Sequence, residues 1–281
     1  MSIGRHLGVS ASSLPGVSRV HLLSVVEDLV RRAEEVSTAT PARDAIGAFN
    51  RYLAWANETA RQLGSVVAVR DVERLVLTSR HWALQGLDPA ANGDLLNLIW
   101  LELDQRKQDL LDLAEDLRQF GRRWSADAAG RLLVVDTNFY LHHDKSFEEI
   151  SWREVGAAAD GEPVTVVVPL VVVDELDRAK RDDLRARARR TLKMLHEIFI
   201  DPSESVLLAE LTRARLLPDP PGHQRLPDAD MEIIDRAISL ASLSGLPTSI
   251  VTYDVGMSFR AKMAGADVKW FERPNKSRRE S

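Results

Sequence analysis

The sequence predicts two domains of different class. An all-α helical bundle over residues 18–125 precedes an α/β domain over 131–272, whose mainly parallel sheet is sandwiched by helices. Three observations predict this. Apolar residues recur three and four apart through the first half, with no convincing strand. Short β-branched runs alternate with helical stretches in the second half, the pattern of a parallel sheet. Between them lies a stretch of small residues, SADAAG, where the domain boundary is expected. Residues 1–17 and the basic tail 273–281 are expected to be flexible.

In chain order, Val20, Leu23, Val26, Leu29 and Val30 form the apolar stripe of a first helix. Pro41 suits the start of a second, which runs through Ile46, Phe49, Leu53 and Trp55 and ends near Gly64. A third spans residues 72–84. The fourth and longest carries Leu96, Ile99, Leu103, Arg106, Leu110, Leu113, Leu117 and Phe120, a heptad seam interrupted only by Arg106. That seam asks for a partner helix, from the same chain or from a second copy in a homodimer. Three other amphipathic helices in the chain favour the first arrangement. Trp55, Trp82, Trp100 and Trp124 are read as core anchors.

Beyond Arg131, LLVVD is a short buried strand, followed by helical residues through Ile150 and Val155. VTVVVPL is a second strand, leading into a long charged helix over about 173–199. SVLLAEL is a third. The Pro- and Gly-rich segment LPDPPGHQRLPD reads as a surface loop. A helix over 230–243, the strand TSIVTYD, a short helix through Met263 and a final strand DVKWFE complete the order.

Composition excludes several classes. The chain of 281 residues has no cysteine, which removes disulfides, thiolate metal sites and cysteine nucleophiles and suits a reducing compartment. No apolar run approaches the roughly 20 residues of a membrane span, and the first residues lack a signal peptide's apolar segment, so a cytoplasmic protein is expected. A formal net charge of -5 argues against a passive basic binder of nucleic acid.

The carboxylates fall where strands end. Asp136 closes LLVVD, and Glu175 follows the second strand at the start of the long helix. Asp230 opens a helix, with Asp228 two residues earlier, and Asp254 ends the strand SIVTYD. Ligands of open parallel sheets bind outside the strands' carboxyl ends, so these acids can meet there. Each also has an ordinary reading as a helix cap or as an acid in a first turn. Four carboxylates in one crevice raise one another's pKa, and a hard divalent cation resolves the conflict. Mg²⁺ or Mn²⁺ matches a donor set of carboxylate oxygens without cysteine. Such chemistry points to phosphodiester hydrolysis.

The string VVDTNFYLHH resembles the first motif of the PIN-domain family, with Asp136 as its acid. VVVPLVVVDELDRAK resembles the second, through Glu175, and PDADMEIIDRA the third, through Asp230 in preference to Asp228. VTYDVGMSFRAK is similar to the fourth, with Asp254 as the acid and Thr252 beside it. The resemblance covers about 131–271. It implies a PIN-like fold and a Mg²⁺- or Mn²⁺-dependent ribonuclease acting on RNA, with Asn138 and Thr252 supporting the ligands. Because the family includes members with degenerate sites, the alternative is a catalytically silent RNA-binding or scaffolding protein. Two further rivals come from other classes. A haloacid-dehalogenase-like phosphatase wants an Asp where this chain has Asn138, and a phosphorelay receiver wants a clean acidic pair before its central Asp.

The run RAKRDDLRARARRTLK holds eight basic residues. It is either a solvated, salt-bridged face or a surface that follows a phosphate backbone. Arg178, Lys180 and Arg181 are the expected nucleic-acid contacts, within about two helical turns of Glu175. His142 and His143 are read as surface residues. Nothing in the resemblance accounts for the N-terminal helices, which are left as a site for a second copy or another protein.

Overall fold

A computed structural model of the chain describes residues 11–39, 44–89, 93–127, 130–179, 184–219 and 223–274. The chain divides into two compact units between Gly121 and Arg122.

The first unit is helical: α1 (Arg19–Ala39), α2 (Ala45–Leu63), α3 (Val69–Leu75), α4 (Ser79–Gln85) and most of α5 (Leu95–Asp127). The buried stripe of α1 is Leu22, Val26, Leu29 and Ala33, whereas Val20 is exposed. Helix α2 begins at Asp44, whose side chain accepts from the Gly47 N–H at 2.8 Å. Pro41, the expected start, lies outside the described residues. The single helix expected over 72–84 is two. Val76 leaves helical geometry, and Thr78 starts α4 by accepting from the His81 N–H. Residues 11–13 belong to the expected flexible terminus but are tethered. The Ser12 N–H donates to Asp71 at 2.8 Å, and Ser13 bridges Val67.

The heptad seam of α5 is buried within one chain from Ile99 to Phe120, so it is no free face for a second copy. Arg106 does not interrupt the packing. Its guanidinium is buried against Glu102 at 3.2 Å and Asp109 at 3.0 Å, and Glu102 also accepts from Thr78 and Arg80. Of the tryptophans, Trp55 and Trp124 are buried and Trp82 is exposed.

The second unit contains β1 (Arg131–Val135), α6 (Thr137–His142), α7 (Trp152–Val155), β2 (Val164–Pro169), α8 (Leu170–Ala179) and α9 (Arg185–Ile198). It continues through β3 (Val206–Ala209), β4 (Thr212–Leu217), α10 (Ala229–Ser244), β5 (Thr248–Thr252), α11 (Val255–Met263) and β6 (Asp267–Trp270). One six-stranded sheet runs β3-β4-β2-β1-β5-β6, parallel except for β3 against β4, with helices flanking it. The central strands β1 and β2 are almost wholly apolar and buried, as a sheet covered on both faces requires.

Two expectations need correction. The long charged helix is described as α8 and α9, which pack against each other and so cannot form one rod. Strand β4 had no place in the sequence reading because Arg213 and Arg215 break its apolar run. Arg215 is nevertheless buried, with its guanidinium 5.1 Å from the Trp124 ring centroid. A turn through Leu211 at φ +60 folds β4 back on β3.

The order of the sheet positions the site. Strand β1 continues to β2 on one side and has β5 on the other, so the crossovers diverge at its carboxyl end. That divergence opens a crevice where ligands of such sheets bind.

Candidate active site

Asp136 stands at this switch point, directly after β1, with its N–H donating to the Val251 carbonyl at 3.0 Å. Its side chain is buried. The Thr252 hydroxyl donates to one carboxylate oxygen at 2.7 Å, and the Asn138 backbone N–H also donates to the carboxylate. Burial nevertheless pushes the carboxyl up to about 7. The Thr252 hydrogen bond opposes that rise, and the charges of Asp230 and Glu175 add to it.

Glu175 lies midway along α8, which places it one and a half turns from the end of β2. Its carboxylate accepts from the Thr137 hydroxyl at 2.7 Å. Burial raises its pKa, the Thr137 bond lowers it, and Asp230 and Asp228 raise it. Thr137 escaped the sequence reading, although it directly follows Asp136.

The two candidate third acids separate by role. Asp228 caps α10 by accepting from the Met231 N–H at 3.1 Å, and it is exposed. Asp230 sits in the first turn, half-buried. Burial raises its carboxyl, Arg260 lowers it, and Asp228 and Asp254 raise it. Asp254 caps α11 by accepting from the Met257 N–H at 2.7 Å, while its own N–H donates to the Thr252 hydroxyl at 2.9 Å. Asp136, Glu175 and Asp230 thus lie within electrostatic reach of one another, and Asp230 is in turn within reach of Asp228 and Asp254.

Asn138, half-buried at the second position of α6, meets Asp136 through its backbone. Arg178 is exposed on α8, close enough for its charge to lower Glu175. Lys180 and Arg181 lie outside the described residues. His143 departs from the surface reading. Its ring stacks on Phe139 at 4.7 Å, and its Nδ1 lies 2.5 Å from the Tyr253 hydroxyl.

A second titratable group, two of whose members the sequence reading placed in a plain surface loop and the third in the helix after it, lies beside the site. The ligand atoms of Asp219, His223 and Glu232 all lie within 4.8 Å of one another; among the described residues, no three of the acids above are that close. Its hydrogen bonds are already satisfied by protein. Glu232 is wholly buried and accepts from His223 Nε2 at 2.6 Å and from the Leu226 N–H at 2.9 Å. Asp219 accepts from Arg225 at 2.7 Å, and Arg225 also pairs with Asp174, next to Glu175. The group therefore braces the loop before α10 against α8.

A divalent cation fits the five acids on two grounds. Their donors are hard oxygens, and burial, with the charges of Asp230 and Glu175 adding to it, holds Asp136 far above a normal carboxylate, a cost that a bound positive charge offsets. Among the described residues, no helix is long and apolar enough to cross a membrane. A comparison with curated proteins finds no match to the chain. A family model described as PIN domain matches residues 133–272. That span begins within β1 and contains Asp136, Glu175, Asp228, Asp230 and Asp254, and the second unit of this chain belongs to the PIN-domain family, a nuclease-type superfamily.

Proposed function

We propose that the second unit is a metal-dependent endoribonuclease that hydrolyses RNA phosphodiester bonds. The observation that supports the reading is Asp136 buried at the carboxyl end of β1 within reach of the charges of Glu175 and Asp230, with burial first and those charges next raising it to about 7.

In this reading Asp136, Glu175, Asp230 and Asp254 hold Mg²⁺ or Mn²⁺, with Asp228 as a further candidate ligand. When bound, the cation activates water and offsets charge on the phosphate. The chain's own residues prepare that arrangement. Thr252 and the Asn138 N–H stabilise the ionised form of Asp136, which is the form that binds metal. Thr137 fixes the orientation of Glu175. The cap that Asp254 forms on α11 restricts its rotation. Arg178, with Lys180 and Arg181 beyond it in sequence, contacts the RNA backbone. A chain without cysteine suits the cytoplasm, where RNA is abundant.

Cleavage of a pool of labelled single-stranded RNAs with Mg²⁺ or Mn²⁺ tests this, comparing the natural protein with Asp136→Asn. Metal-dependent cutting that the substitution abolishes is expected. Absence of both cutting and calorimetric metal binding would turn the reading to an RNA-binding scaffold of the same fold.

A further inference from the structure

Arg260 plays no part in the reading so far, yet it reaches two of the acids. It lies on α11, six residues after Asp254, and pairs through Nη2 with the Asp230 carboxylate. A Cβ on Gly256 would meet Arg260 Nη1 at 3.3 Å and Asp254 Oδ1 at 3.2 Å. The guanidinium therefore lies over the Gly256 backbone, beside Asp254 and against Asp230. Its side chain remains 41% exposed, so one side of it faces solvent.

Two cations cannot fully use one carboxylate. An arginine keeps its proton at any working pH, so it competes with a divalent ion for Asp230 instead of adapting to it. The planar guanidinium also suits a phosphate better than a monodentate contact with Asp, because its fork engages two oxygens. A phosphodiester is the group that the proposed reaction brings beside these acids.

We propose that Arg260 is a substrate-contacting residue that exchanges partners, pairing with Asp230 until metal takes that carboxylate and then binding a non-bridging oxygen of the RNA phosphate. The proposal rests on the nuclease reading and adds to it a residue outside the acidic set. Gly256 has a role in it, because any larger residue there would crowd both Arg260 and Asp254.

The test uses the full chain with Arg260→Gln, and with Arg260→Lys as the variant that keeps the charge but loses the fork. Calorimetry with Mn²⁺ alone is expected to show tighter binding by Arg260→Gln, by roughly three- to tenfold, because the competing cation is gone. Binding of labelled single-stranded RNA, measured on an Asp136→Asn background to prevent cleavage and at a Mn²⁺ concentration shown by calorimetry to saturate that background, is expected to weaken about tenfold. Arg260→Lys is expected to bind Mn²⁺ much like the natural protein and to lose part of the RNA affinity. Unchanged or weaker Mn²⁺ binding by Arg260→Gln, in a protein that melts normally, overturns the proposal while leaving the nuclease reading intact. Unchanged RNA affinity overturns it as well. A natural protein that binds no Mn²⁺ at all removes the nuclease reading and this proposal together.

Discussion

The Thr252 hydroxyl donates to the Asp136 carboxylate at 2.7 Å across 116 positions of sequence, and this bond joins the ends of β1 and β5. The same oxygen accepts from the Asp254 N–H, so one buried side chain orients two acids. Thr252→Val keeps the shape and removes both bonds. Without its donor the Asp136 carboxyl rises further above 7, and more of it is protonated at neutral pH. Mn²⁺ affinity at pH 7 is expected to fall about tenfold, with recovery in Thr252→Ser. Calorimetry at pH 7 decides this; equal affinities for Thr252→Val and the natural protein would show that the hydroxyl does not govern the acid.

Much of this site was legible because strand ends are legible. Asp136 and Asp254 each follow a short run rich in β-branched residues, which reads as a buried strand of a covered sheet. What escaped depends on contacts between distant segments. Thr137 matters because α8 brings Glu175 to it, and Arg260 because α10 brings Asp230 to it. Strand β4 was hidden by Arg213 and Arg215, the second of which is buried against Trp124 from elsewhere in the chain. The preference for Asp230 over Asp228 came from its spacing to Ile233 and Ile234, whereas the cap role of Asp228 could be assigned only from the start of α10 in the structure.

Glu232 braces the loop that leads to Asp230. Burial alone would raise its carboxyl, but the bonds from His223 and the Leu226 N–H outweigh that and hold it below the usual range. Stability from a depressed acid is present above its unfolded pKa and is lost as pH falls through the folded value. Glu232→Ala leaves His223 and the Leu226 N–H without their acceptor, and is expected to cost about 2–4 kcal/mol in urea denaturation at pH 7. Amide exchange at Leu226 should accelerate with it. A loss below about 0.5 kcal/mol would mean that the loop is held by other contacts.

Arg106 supports the helical unit by a different means. It is buried with Glu102, which keeps Thr78 and Arg80 as remaining partners. Arg106→Leu strands part of that charge and is expected to cost about 3 kcal/mol. Adding Glu102→Gln removes the stranded charge and should recover roughly half of the loss. Strict additivity of the two substitutions in a double-mutant cycle would rule out an energetic link between them.

Asp136 makes a prediction of opposite pH sense. Its carboxyl titrates near 7 in the folded chain against 3.8 for an ordinary Asp. The folded state therefore holds a proton that the unfolded state has released between those values. Stability from this group is fully present below pH 3.8 and is lost as pH rises through 7. The difference in unfolding free energy between the natural protein and Asp136→Asn cancels the titrating groups that do not interact with Asp136. In chelator, Asp136→Asn is expected to gain on the natural protein as pH rises from 4 to 8, by an amount on the order of 4 kcal/mol. Mn²⁺ should reverse the trend for the natural protein alone, because metal binds the ionised carboxylate and its affinity climbs with pH. A pH-independent difference in chelator would place Asp136 among ordinary carboxylates and would remove the electrostatic reason for a cation at this site.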